Sequence, residues 1–288
     1  MMRGKRHWSL AVRRPDGGIF IKTEELNPLA LRYPVLKWPV LRGVIALWES
    51  MSLGIKALSI SANISVEEED FTISRKEMAL SFGLGILLAV GLFVVLPLYA
   101  TKQVEGWFPN SALFILAEGI LRIIILILYI VVVSRISQLR RLFEYHGAEH
   151  KTIHAFEHGL ELDADSVGSF SPLHPRCGTS FLLVVMVLAI IVFSFVGIPG
   201  LFWLVLSRLI GIPLIIGLSY EVIKYAGKHT DSRFMRAVMY PGLLLQRLTT
   251  REPDTGQIEV AIAALKGVTD HEPVELDHSG AADLEVMA

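Results

Sequence analysis

Four apolar blocks divide the chain: Met78 to Tyr99, Ser111 to Ser134, Thr179 to Val196 and Leu201 to Tyr220. Each supplies about the 20 mostly apolar residues that cross a hydrocarbon core as a helix. They predict a mainly α, polytopic membrane protein with about four transmembrane helices. Ahead of them, Leu10 to Thr23 alternates in part between apolar and polar positions and turns at Pro15-Asp16-Gly17-Gly18, the pattern of a small N-terminal β-hairpin. Pro34 to Ile60 interleaves Val35, Leu36, Trp38, Val44, Trp48 and Met51 with Lys37, Arg42, Glu49 and Lys56. That mixture is too charged for a comfortable span and too apolar for a free loop. It predicts an amphipathic helix lying in the membrane interface, with a re-entrant segment as the alternative. Asp254 to Val268 reads as helical through Ile258, Val260, Ile262, Ala263 and Leu265.

Composition supports the membrane reading. Hydrophobic residues make up 52% of the chain and charged residues 19%, with mean hydropathy +0.52, whereas an ordinary soluble domain is roughly a quarter charged. Lys and Arg then sort by side. They crowd the leading segment (Arg3, Lys5, Arg6, Arg75, Lys76), the central segment (Arg135, Arg140, Arg141, Lys151) and the final one (Lys224, Lys228, Arg233, Arg236), while Lys102 to Asn110 has one cation and Gly197 to Gly200 has none. Positive charge marks the cytoplasmic side, so both termini and the central segment are expected there, in a multi-pass membrane protein.

The resulting expected layout is 1–33 as a cytoplasmic β-hairpin segment, 34–77 as the interfacial segment and 78–134 as the first two spans. A cytoplasmic His-rich loop at 135–178 follows, then the last two spans at 179–226, a cytoplasmic C-terminal segment at 227–268 and a flexible acidic tail at 269–288. The basic N-terminus lacks the short apolar core and cleavage site of a secretory signal, and Arg13-Arg14 followed by a turn is only superficially a twin-arginine pair. A formal net charge of -1 gives no electrostatic case for nucleic acid. Membrane lipids and a second membrane protein or a second copy are the expected partners. Cys177 is the single cysteine, so no intrachain disulfide forms and a reduced thiol is expected. The run Glu67-Glu68-Glu69-Asp70 reads as a solvated turn in preference to a cation site.

The chemistry concentrates in the central segment. His146, Glu149 and His150 fall at i, i+3 and i+4, so on a helix two imidazoles and a carboxylate share one face, as in the inverted zinc-peptidase pattern H-x-x-E-H. His154 and His158 continue the stripe to about 18 Å at 1.5 Å per residue, too long for one ion. His158, next to Gly159, is read as a helix-end residue. His174 and Cys177 lie just before the third block and are competent ligands. Glu221, at the end of the fourth block, is either a further ligand or half of a helix-end pair with Lys224. Zn²⁺ is the expected ion, with another divalent transition metal as the alternative. Glu118 and Arg122, at i and i+4 in the second block, and Arg208 in the fourth are expected to face polar partners inside the helix bundle, as a structural pair in preference to a substrate pathway or an anionic lipid headgroup near Arg208.

Three stretches carry a family resemblance: His146-Gly147-Ala148-Glu149-His150-Lys151, His174-Pro175-Arg176-Cys177-Gly178-Thr179 and Tyr240-Pro241-Gly242-Leu243-Leu244-Leu245-Gln246. With them the chain, from about Arg42 to Pro253, resembles the bacterial YqhQ-like family, domain of unknown function 1385. The resemblance implies a metal-dependent membrane protein and no established substrate. Two functions stay open. In one, the ion keeps an open position and Glu149 takes a proton from its water, giving a hydrolase that acts on a membrane-associated substrate. In the other, His146, His150, His174 and Cys177 close a structural clasp in a membrane scaffold or regulatory partner.

Overall fold

The computed structural model describes residues 1–65, 74–175, 177–196, 201–229, 232–274 and 285–286. Strands β1 (Met2–Arg3), β2 (His7–Arg13) and β3 (Ile19–Glu25), with β4 (Glu285–Val286), form an antiparallel sheet in the order β3-β2-β1-β4. The hairpin turn closes where Asp16 and Gly17 sit, with Gly17 at φ 86°, a conformation that glycine adopts without strain. Alternation along β2 sends Trp8, Leu10 and Val12 to one face and Ser9 and Ala11 to the other. Both faces are covered. Trp8, Leu10 and Val12 pack with Leu53, Ala57, Ile60 and Ile64, while Ala11 joins Met2, Ile153, Val260, Ala264, Leu265 and Val268.

The first set of partners belongs to α2 (Leu41–Ser65), which follows the short α1 (Leu29–Arg32). Helix α2 differs from the sequence expectation in one respect. It is long and apolar enough to cross a membrane, as are Lys76–Lys102, Ser111–Val133, Gly178–Phe195 and Leu206–Ala226, so the structure holds five candidate spans where four were read. The sheet that covers its C-terminal half comes from residues too distant in sequence to enter a hydropathy window.

The next rod comprises α3 (Arg75–Val90), a π-helical stretch at Gly91–Val95 and α4 (Leu96–Lys102). Ser74 and Glu77 cap it reciprocally at 3.2 and 2.8 Å, and Pro97, which lacks an N–H, accounts for the irregular ladder ahead of it. Its Leu80, Leu84, Leu87 and Leu88 are all exposed, a surface suited to lipid and not to water. Helices α5 (Ser111–Val133), α8 (Gly178–Val196) and α9 (Leu201–Lys228) complete the bundle. Within it Glu118 is buried and ion-paired to Arg122, and the Arg208 guanidinium lies 3.5 Å from the centroid of the Phe193 ring.

Helices α6 (Ser137–Glu157), α7 (Ala164–Gly168), α10 (Arg233–Thr249) and α11 (Thr255–Thr269) make up the rest. Helix α11 occupies the segment read as helical, started by a capping box between Asp254 and Gln257. Helix α10 is absent from the sequence reading because Pro241 interrupts its pattern. The acidic run Glu67 to Asp70, the connection at 197–200, Arg176 and most of the acidic tail lie outside the described residues.

Candidate metal centre

Helix α6 carries His146, Glu149, His150, His154 and Glu157, and every residue from His146 to Ile153 is buried. Burial of so polar a run requires partners, and two neighbouring segments supply them. Residues 249–252 lie along one side. Arg251 N–H donates to the Phe143 carbonyl at 2.9 Å, and Lys151 Nζ donates to the Gly168 carbonyl at 2.8 Å and pairs with Glu252. Close approach here depends on Gly147, whose added Cβ would stand 2.0 Å from the Arg251 carbonyl oxygen. Residues 172–175 and Cys177 lie on the other side. They are anchored by Gln246, fully buried on α10, which accepts from His174 N–H at 2.9 Å and donates to the His174 carbonyl at 2.8 Å.

These segments also fix the histidine rings. His146 Nδ1 is 2.9 Å from the Thr249 carbonyl and His150 Nδ1 is 2.6 Å from the Pro172 carbonyl. A carbonyl only accepts, so each Nδ1 carries the proton and each Nε2 keeps its lone pair. Cys177 Sγ lies 3.3 Å from His146 Nε2, and one donor atom from each of His146, His150 and Cys177 falls within 4.8 Å of the others. A tetrahedral ion with bonds of about 2.0–2.3 Å would draw these atoms closer together. His150 Nε2 and Glu149 Oε2 are buried with no hydrogen-bond partner, an expensive arrangement that a cation would relieve. The donor set therefore fits a divalent transition ion.

Electrostatics agree with that use. Burial lowers the His146 pKa to about 4, against the raising influence of the Thr249 carbonyl. Burial also drives His150 down, with His146 and His174 adding to the effect, and lowers His174 to about 4. All three rings are neutral at neutral pH, as ligation requires. Burial pushes the Cys177 thiol up, opposed by the Thr179 hydroxyl and N–H, with the charge of Glu149 adding to the rise. Burial likewise raises Glu149, while the Met1 ammonium bound at its Oε1 pulls the other way.

A second group adjoins the first. One donor atom from each of His154, Glu157 and His174 again falls within 4.8 Å of the others, so His174 joins His154 and not the set around Cys177. Glu157 was missed by the sequence reading, although the signal was present: His154-Ala155-Phe156-Glu157-His158 repeats the H-x-x-E-H spacing eight residues after the first copy. His158 turns back to the His154 carbonyl at 2.8 Å, as a helix-end residue does. Glu221 belongs to neither group. Its carboxylate accepts from Arg42 Nε at 2.6 Å and from Arg42 Nη2, pinning the start of α2 to α9, and Lys224 lies over the Tyr220 ring. At the same junction Gly217 admits the Val40 backbone, whose carbonyl would stand 2.4 Å from an added Cβ.

The fold and site together define a multi-pass membrane protein with a buried His and Cys cluster between α6 and the start of α8. The chain belongs to the family of proteins of unknown function DUF1385, whose model matches residues 38–271, including every residue of both groups. It is similar to the uncharacterized protein YqhQ of Bacillus subtilis (strain 168), 34% identical across 91% of this chain and 86% of that protein. No solved structure matches.

Proposed function

We propose that His146, His150 and Cys177 hold one Zn²⁺ at the cytoplasmic face of the membrane and that the protein is a metal-dependent hydrolase acting on a peptide or lipid bond of a membrane-borne substrate. The observation that carries this reading is the gathering of one donor atom each from His146, His150 and Cys177, with His146 Nε2 3.3 Å from Cys177 Sγ and with His150 Nε2 and Glu149 Oε2 unpartnered. An ion with three protein ligands keeps one position for solvent and lowers the pKa of that solvent to about 7. Glu149 is then the proton acceptor: Oε1 holds the Met1 ammonium and Oε2 remains for chemistry. Thr249 and Pro172 hold the imidazoles in one tautomer, and Gln246 holds the loop that delivers Cys177.

Burial favours a second reading. His150 is 0% and Cys177 1% exposed, as expected of a clasp that ties Cys177 to α6 in a non-catalytic scaffold. Co²⁺-loaded protein separates the two without knowledge of the substrate. An open position gives a pH titration of the visible spectrum that shifts in Glu149→Gln while the metal content stays intact. A spectrum indifferent to pH in wild type removes the hydrolase and leaves the clasp.

The topology proposed with this function has four crossings: 76–102, α5, α8 and α9. Strand β2 packs on α11, and α6 shares that core through Ile153, so sheet, α6 and α11 lie on one side. Four crossings return the chain there; a fifth by α2 would put β2 and α6 on opposite sides. Helix α2 instead lies in the interface, with Trp48, Met51, Ile55 and Leu58 exposed along one stripe. A cysteine placed at Asn110 is expected to react with an impermeant maleimide only from outside the cell, since Cys177 itself is buried. Reaction only from inside would overturn the assignment.

A further inference from the structure

We propose that Arg122 on α5 and Arg208 on α9 form an anion site within the spans and that its occupant is the phosphate group of an anionic phospholipid. Glu118 lies seven residues after the start of α5 and Arg208 seven residues after the start of α9. At 1.5 Å per residue both stand about 10 Å along helices that begin, in the four-crossing arrangement, on the same non-cytoplasmic side. Helix α8 brings them together. Its Phe193 ring packs with Phe114 and Ile115 of α5 and carries the Arg208 guanidinium 3.5 Å from its centroid. Gly211 permits that approach, since an added Cβ there would stand 2.8 Å from the ring. Arg208 accordingly feels the charges of both Glu118 and Arg122.

The charges do not balance. Glu118 is buried and ion-paired to Arg122, and among the described residues Arg208 forms no hydrogen bond or ion pair. Both guanidiniums are charged at neutral pH, which leaves one uncompensated positive charge in an apolar setting where ionisable groups ordinarily pair. Arg122 Nε is also buried without a partner, and a buried donor left unsatisfied is costly. A phosphodiester answers both deficits: it brings a single negative charge, and its two free oxygens accept from a guanidinium fork. Lipid is the favoured source because the exposed face of α5 beside Arg122, with Leu116, Ile120 and Ile124, is apolar, so an anion reaches the pair from the lipid phase and not from water. Long arginine side chains shorten the remaining distance by extending towards the headgroups. The competing arrangement is a closed triad in which Glu118 alone answers both arginines. The site lies across the membrane from the proposed metal centre, so its loss leaves the hydrolase reading untouched.

Native mass spectrometry of the full-length protein, stripped of lipid in an uncharged detergent and titrated with phosphatidylglycerol, phosphatidylcholine or inorganic phosphate, distinguishes these cases. Phosphatidylglycerol is expected to bind at least about tenfold more tightly than phosphatidylcholine, whose choline cation is repelled by the guanidiniums, and inorganic phosphate is expected not to displace it. Arg208→Gln should lower the phosphatidylglycerol affinity about tenfold, the worth of one hydrogen bond to a charged group, and Arg208→Lys should recover part of the loss. Glu118→Gln, with its helical content checked by circular dichroism, should raise the affinity, because the competing carboxylate is gone; a closed triad gives no such gain. Equal binding of the two lipids, an unchanged affinity in Arg208→Gln, or unchanged or weakened binding in folded Glu118→Gln would overturn the site. Displacement of the lipid by inorganic phosphate would overturn lipid as the source of the anion.

Discussion

Replacing His146 or His150 by alanine is expected to strip the thiolate-linked zinc from the purified protein, with affinity falling more than about 100-fold, beyond the loss seen when only an orienting partner is removed. Each ring is fixed by a backbone carbonyl and offers a donor atom to the same cluster. Proton linkage adds a sign. The imidazoles are already neutral, with His146 lowered to about 4, but burial holds the Cys177 thiol protonated. Binding must release that proton, and affinity should rise about tenfold per pH unit across the neutral range. Chelator competition at several pH values measures both effects, and Cys177→Ser should flatten the slope. Full zinc content in both histidine variants would place the ion elsewhere.

The second large effect belongs to a residue with no side chain. Gly147→Ala puts a methyl group 2.0 Å from the Arg251 carbonyl oxygen, a backbone atom tied to α6 by the Arg251 N–H bond to Phe143. Neither partner can rotate away. Overpacking of this kind costs about 3 kcal/mol, towards the upper end of its usual range. The 249–252 segment must lift from α6 and take the Thr249 carbonyl from His146, so thermal stability and zinc affinity are expected to fall together. An unchanged melting temperature in a detergent thermal-shift series would show that the close approach is dispensable.

Much of this could be read from the sequence because it depends on local pattern. Four of the spans are continuous apolar runs, the hairpin is announced by Pro15-Asp16-Gly17-Gly18, and the i, i+4 spacing of His146 and His150 makes their convergence a property of one helix. Features fixed by distant residues were not legible. The charges within residues 34–60 already point to the interface although residues 41–65 match a span in hydropathy, but that α2 covers Trp8, Leu10 and Val12 depends on contacts the local pattern does not carry. Glu221 looked available until Arg42 was found against it. The division of six ligand candidates into two groups follows from the placement of His174 and Cys177, the first of which Gln246 holds from a helix that the Pro241 interruption had hidden. Glu157 is a different case, since its spacing repeats that of Glu149 and was there to be seen.

The shared core of Met2, Ile153 and Leu265 also imposes an order of events during biogenesis. Synthesis is vectorial, and among the described helices α11 is the last to leave the ribosome. Strand β2 and the histidines of α6 are therefore made, and the later spans threaded into the bilayer, before the helix that covers the strand exists. Contacts of such long sequence separation are the slowest to form. Until Gln246 and Thr249 arrive, the α6 imidazoles have no loop to hold and no carbonyl to set their tautomers, so maturation of the centre is reserved for a chain whose membrane insertion is already finished.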